Sequence, residues 1–232
     1  MQLTAQQKRI CEQVVNVFET GEIEGDYGAL VTYADGPHDM RQITYGRSQT
    51  TEYGNLDVLV QMYVDANGTF SEQLRPFLPK IGVTPLWENS EFKQLLRDAG
   101  RKDSVMQRTQ DKFFDKRYFQ PAMRWADANE FTLPLSALVI YDSFIHSGGI
   151  FDFLRKRFPA KPPGQGGDEK TWIKQYVEVR HEWLAEHPRE VVRRSVYRTR
   201  CFKREISRKN WKFSRLPINA NGVNVSGEQA SG

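Results

Sequence analysis

Residues 18–51, FETGEIEGDYGALVTYADGPHDMRQITYGRSQTT, hold six acids, Glu19, Glu22, Glu24, Asp26, Asp35 and Asp39, with no Lys or Arg between 19 and 39. Two carboxyls on opposite sides of a glycosidic bond, one protonated and one ionised, suffice to hydrolyse it. Glu19 suits the protonated role. It closes a helical pattern beside Phe18, where desolvation and the negative end of the helix both favour the neutral acid. The plain alternative is a solvated glutamate at a helix end. Asp35 and Asp39 are the choices for the second carboxyl. Asp35-Gly36-Pro37 is turn chemistry in its own right, whereas Asp39 precedes MRQIT, the start of a strand. Thr44, five residues on, offers a hydroxyl to hold a water. Spacing alone leaves the base open between Asp35 and Asp39.

The surrounding elements must position these groups. Thr4 and Gln7 form a capping-box pattern, and Ile10, Val14, Val17 and Phe18 repeat at helical spacing. The first helix is therefore predicted to end near Glu19, stopped by Gly21. ALVTY and RQITYG read as strands of a small antiparallel sheet. Leu56, Leu59, Val60 and Tyr63 mark a helix after it, and SEQLRPFLPKIG a short helix ended by prolines. Helical patterns follow over about 88–99, 103–128, 133–147, 168–186 and 188–208. Pro121 must end or kink the second of these. PAKPPGQGGDEK, 159–170, is the clearest loop and reads as a mobile element or a subsite wall. The tail after Pro217 is expected to fray at its end. The class is α+β and mostly α-helical, in one domain over 1–232 with a sheet lobe at about 20–55 and a helical lobe at about 88–215.

Composition narrows the function. No apolar run approaches the roughly 18 residues of a membrane span, and no membrane insertion is expected. MQLTAQQKRI lacks the apolar region of a secretory signal. That points to a phage lysin, a secretion-system effector domain or a trimmed secreted enzyme, acting on extracellular or periplasmic wall. Cys11 and Cys201 lie far apart, Cys11 reading as a buried thiol. Neither they nor the four histidines show metal-ligand spacing, so no metal and no cofactor is expected. The net charge of +4 and pI near 9.0 make polyanions plausible partners. FKREISRKNWKF interleaves aromatics with that charge, although such basic runs are usually solvated faces. The five tryptophans read as core rather than as sugar platforms.

The chain resembles the family 46 chitosanases of the lysozyme-like superfamily. FETG with Glu19, then DMRQIT with Asp39, Arg41 and Thr44, matches the family order of helix-end Glu, loop Asp, Arg and sheet Thr. QDKFFDKRYFQPA (110–122), LSALVIYDSFIHSGG (135–149) and the closing CFKREISRKNWKFSRLPINANG extend the similarity over nearly the whole chain. By that resemblance the fold is two-lobed, with the small sheet beside a catalytic cleft. Glu19 is the general acid and Asp39 the base, with Thr44 holding the attacking water, and the anomeric centre inverts. The two carboxyls are then expected to face each other across the glycan. Asp142 is implied as a buried charge paired with an arginine such as Arg194 that also reaches Glu19. Asp26, Tyr27, Arg41, Gly46, Arg47, Asn55, Asp57 and His146 are taken as substrate contacts. Ser48, Gln49 and Thr50 are added along the cleft wall, and the ordinary reading of His146 is a structural helix-end histidine.

Asn55 stands where the family carries an acid that reads an amino group, with Asp57 two residues on. Together with the basic pI, this ranks peptidoglycan ahead of chitosan as the β-1,4-linked amino-sugar polymer cleaved internally. The alternatives are a chitosanase and a non-catalytic polyanion-binding module. Expected partners are the polysaccharide, no specific nucleic acid, and an immunity or inhibitor protein if the chain is a secreted toxin domain. A monomer is expected.

Overall fold

The computed structural model describes residues 1–47 and 49–228. In chain order the helices are α1 Ala5–Thr20, α2 Leu56–Asp65, α3 Ser71–Leu74, α4 Ser90–Lys102, α5 Ser104–Phe114, α6 Gln120–Ala128, α7 Pro134–Ser147, α8 Asp152–Arg155, α9 Glu169–Ala185, α10 Glu190–Arg193 and α11 Tyr197–Ser207. The strands are β1 Leu30–Tyr33, β2 Gln42–Tyr45, β3 Thr50–Thr51, β4 Ile218–Ala220 and β5 Val223–Val225. The chain is mostly helical with a small antiparallel sheet, and it divides into two compact units, 1–24 with 116–232 and 25–115.

The first unit is built around α7, in which Pro134 to Ser143 are all buried. A helix without a polar face is stable only when other helices cover it on all sides, and α1, α6, α9 and α11 pack on it. On α1 the capping box of Thr4 and Gln7 is formed, and Gly21 closes the helix in a left-handed conformation at φ 80°. Cys11 and Cys201 are free and buried. Trp172 and Trp211 lie in the core, while Trp125 and Trp183 are half-buried. The 159–170 segment is pinned rather than loose: Gly164 N donates to Asn129 O at 3.0 Å and Ala160 N to Gln175 Oε1 at 3.0 Å.

Pro121 acts one turn before itself. Its missing N–H and its ring cannot continue the ladder of α5, so residues Asp115–Phe119 widen into a π-helical turn before α6 restarts. After Pro217, β4 and β5 form a hairpin around Asn221-Gly222, with Ile218, Ala220 and Val225 buried. Both turn residues have positive φ, as the Asn-Gly pair favours. The tail after Pro217 is thus paired as far as Val225, and the last four residues, where fraying is expected, lie outside the described ones.

In the second unit the sheet order is β1-β2-β3, with Leu30 opposite Tyr45 and Thr44 opposite both Val31 and Thr51. All four residues of β2 are buried. This unit runs to Asp115, well past residue 55, because α4 and α5 tie directly to the sheet segment. Tyr45 Oη donates to Leu96 O at 2.6 Å, and Gln110 Nε2 to Tyr27 O at 2.8 Å. On α2, Leu56, Leu59, Val60 and Tyr63 form the buried stripe.

Candidate active site

Within the first unit, Glu19 enters a chain of charges. Arg198 Nη2 donates to Glu19 Oε1 at 2.5 Å while its Nη1 donates to Asp142 Oδ1 at 2.6 Å. Arg180 Nη1 approaches Asp142 Oδ2 at 2.8 Å. Asp142 is fully buried and Arg180 almost so, whereas the Glu19 side chain keeps 14% of its surface exposed. Two acids and two arginines cancel in charge, which is the condition for burying them. Burial by itself would raise the pKa of Asp142, but the guanidiniums of Arg198 and Arg180 outweigh it and hold the carboxyl below its ordinary range. Burial opposes the Arg198 cation in the same way, and Glu19 and Asp142 overcome it, raising its pKa.

The end of α1 is held by the same arginine's neighbours. Tyr197 Oη donates to Phe18 O at 2.7 Å, satisfying a last-turn carbonyl that has no partner inside the helix. The Phe18 ring meets Tyr197 and Phe202 edge-on at centroid distances of 5.6 and 5.9 Å. Glu19 is therefore presented from a fixed helix end.

Arg194 does not belong to this network. It is exposed and pairs with Glu190 one turn away at 2.8 Å. The residue that reaches both Asp142 and Glu19 is Arg198, and Arg180 completes the set. The expected continuous helix over 188–208 is broken by a 3₁₀ turn at Arg194–Val196, which separates Arg194 from the buried face of α11. A sequence signal for the true partners exists. Arg180 sits at helical spacing among Ile173, Tyr176, Val177 and Leu184, and Arg198 among Cys201, Phe202 and Glu205, so each is an arginine on a buried stripe.

His146, near the end of α7, is half-buried and faces this network. Burial pushes its pKa down to about 3, Arg198 and Arg180 push the same way, and Asp142 opposes them. A histidine depressed from 6.5 stays neutral in the folded protein while the unfolded chain takes a proton, so its contribution is lost as pH falls from 6.5 toward 3. Asp142, also depressed, adds a loss below the unfolded carboxylate range. Stability is expected to drop by up to about 1.4 kcal/mol per pH unit from His146 in that window. Denaturant melts at pH 7 and pH 4.5 check this. His146→Gln is expected to shrink the difference between the two, and an unchanged difference would remove His146 from the acid response.

In the second unit, Asp39 ends a short 3₁₀ turn, Pro37–Asp39, with Met40 and Arg41 between it and β2. Its side chain is exposed, and its backbone is left-handed at φ 60°. Arg41 is exposed, its guanidinium lying 5.2 Å from the Trp87 ring centre. Thr44, central in β2, is buried, and its Oγ1 has no hydrogen-bond partner among the described residues. Such an orphan hydroxyl is uncommon and calls for a water or a ligand atom.

The remaining expected contacts divide. Gly46 and Arg47 each have a packing role. Gly46 is buried at φ 73°, and a Cβ there would run into the Gln110 amide, so the turn favours glycine. Arg47 is buried and ion-paired with Asp111, with the Phe114 ring centre 5.0 Å away, so its charge is spent inside the unit. Tyr27 donates to Asp111 at 2.9 Å, and burial raises its pKa to about 12. Asp26 accepts from Gly28 N at 2.8 Å, a local turn bond. Asn55 occupies the N-cap position of α2 without capping it. Asp57 is exposed on the first turn of that helix, beside a shallow groove of about 520 Å³ walled by Val58, Met62, Leu78 and Pro79. Gln49 is half-buried and Thr50 buried, and Ser48 lies outside the described residues.

Residues 13–217 match the model of glycosyl hydrolase family 46. The chitosanase of Bacillus subtilis (strain 168) is 31% identical over 196 residues, which cover 78% of this chain and 69% of that one. Among solved structures, a mutant chitosanase from Bacillus subtilis MY002 complexed with 6 GlcN superposes with a TM-score of 0.82 at 25% identity, over 97% of this chain and 100% of that one. The GH46 chitosanase of Gynuella sunshinyii in complex with chitotetraose gives a TM-score of 0.76 at 26% identity, over 96% of this chain and 98% of that one.

Proposed function

Because the chain belongs to glycosyl hydrolase family 46, and so is a glycoside hydrolase, we propose that it cleaves chitosan, the β-1,4-linked polymer of glucosamine, by an inverting acid–base reaction. The observation that carries the substrate is that the relatives are chitosanases, two of them solved with chitosan oligomers. Peptidoglycan, ranked first on sequence, rested on the overall charge of +4 and on Asn55. Net charge is a property of the whole surface and does not identify the sugar at the scissile bond. The chitosan alternative is the better supported.

Glu19 is the general acid. Arg198 holds Oε1, which leaves Oε2 to carry the proton that goes to the leaving glycosidic oxygen. Asp39 is the general base: a water attacks the anomeric carbon as the C–O bond breaks, and its proton passes to Asp39. The Thr44 hydroxyl, without a hydrogen-bond partner among the described residues, supports a role in holding that water. Asp142, Arg180 and Arg198 touch no reacting atom in this scheme; they orient the acid. An intact network of this kind also argues against a non-catalytic polyanion-binding module.

The test is release of reducing ends from purified chitosan and peptidoglycan at equal protein concentration, with the first-formed product read by proton NMR. Chitosan is expected to yield oligomers whose new reducing end starts as the α-anomer. Release from peptidoglycan alone would overturn the substrate, and a first-formed β-anomer would overturn the inverting scheme.

A further inference from the structure

The loop carrying Asp39 is strained. His38 at φ 54° and Asp39 at φ 60° are consecutive non-glycine residues in the left-handed region, a conformation that side chains disfavour and that persists only where surrounding contacts impose it. Part of the restraint is local. Gly36 N donates to Met40 O at 3.0 Å, Asp39 N to Gly36 O at 3.1 Å and Met40 N to Pro37 O at 3.1 Å. A Cβ on residue 36 would sit 2.8 Å from Met40 O, so the loop closes this tightly only with glycine.

The rest comes from one amide. Gln42 is buried at 5% exposure. Its Nε2 donates to Asp35 Oδ1 at 3.0 Å, and its Oε1 accepts from Tyr53 N at 3.2 Å. Both ends of the side chain are thus used, one on the loop's first residue and one on the turn after β3. We infer that Asp35 and Gln42 form a latch that holds the 35–40 loop in its strained form and thereby aims Asp39. Asp35 is then a positioning residue rather than turn chemistry alone or the base itself. The inference rests on the reading of Asp39 as base.

The test compares Asp35→Ala, Gln42→Ala, the double variant, Asp35→Asn and Asp39→Asn in freshly purified protein, by kcat, KM and melting temperature on chitosan. Asp35→Ala and Gln42→Ala are each expected to lower kcat by about 10-fold, as a displaced catalytic group does, with KM little changed in both. Melting temperature is expected to hold in Asp35→Ala and to fall in Gln42→Ala, which also leaves Tyr53 N without its acceptor. The double variant is expected to lower kcat no further than either alone, since each removes the Asp35–Gln42 bond. Asp35→Asn is expected to restore kcat, because its amide oxygen still accepts from Gln42. Unchanged kcat in Asp35→Ala overturns the latch, and so does a loss that only tracks melting temperature. An inactive Asp35→Asn beside an active Asp39→Asn makes Asp35 the base and overturns the assignment of Asp39 instead.

Discussion

Glu19→Gln is expected to lower turnover on chitosan by about 10²- to 10⁴-fold, the range that one general acid contributes, while the protein stays folded. Glutamine matches the carboxylate in shape, and its amide oxygen can still accept from Arg198. What it lacks is a proton to give the leaving oxygen. The substitution also removes one negative charge from a balanced set, leaving Arg198 and Arg180 against Asp142 alone. Because the Glu19 side chain is partly exposed, water compensates much of that imbalance, and only a small fall in melting temperature is expected. Initial rates of reducing-end release, read beside a thermal melt, separate the two effects. Turnover near that of the parent would strip Glu19 of the acid role.

Asp142→Ala is expected to be the most destabilising single change in the network, by about 3–5 kcal/mol, because it leaves two arginines facing an empty buried site. For a chain of this length that corresponds to a melting temperature lower by roughly 10 °C. The change reaches catalysis as well. Arg198 is held at both prongs of its fork, Nη1 by Asp142 and Nη2 by Glu19, and without the first the second is free to turn. Activity measured well below the new melting point is therefore expected to fall too. Arg194→Ala supplies the contrast. Its exposed pair with Glu190 is of the kind worth about 0–1 kcal/mol, so stability and turnover should hardly change. Equal damage from the two variants would mean that the buried network is not what orients Glu19.

Local signals served well where neighbouring residues decide the structure. The capping box of Thr4 and Gln7, the stop at Gly21 and the apolar stripe of Leu56, Leu59, Val60 and Tyr63 each follow from spacing within one or two turns. The Asn221-Gly222 hairpin is equally local, since an Asn-Gly pair between short apolar runs is a strong turn signal. The disturbance at Pro121 was legible in kind but not in form. A proline dictates that the ladder fails, and packing decides that the chain answers with a π turn rather than a kink.

Distant partners were not legible in that way. Arg194 and Arg198 are four residues apart and fall on one stripe if the helix is continuous. The 3₁₀ turn that begins at Arg194, and with it the choice of Arg198, depends on how α9 and α11 pack on α7 and on each other. Asp35 looked complete as a turn residue because its partner, Gln42, lies across the loop, and neither residue type announces the other. Residue types and order were enough for the family, the mostly helical class and the nomination of Glu19, because helix ends, turns and motif spacing are short-range. Which arginine meets Glu19, and that Arg47 pairs with Asp111, was decided only by the tertiary structure, where burial forces a charge to find a partner far away in sequence.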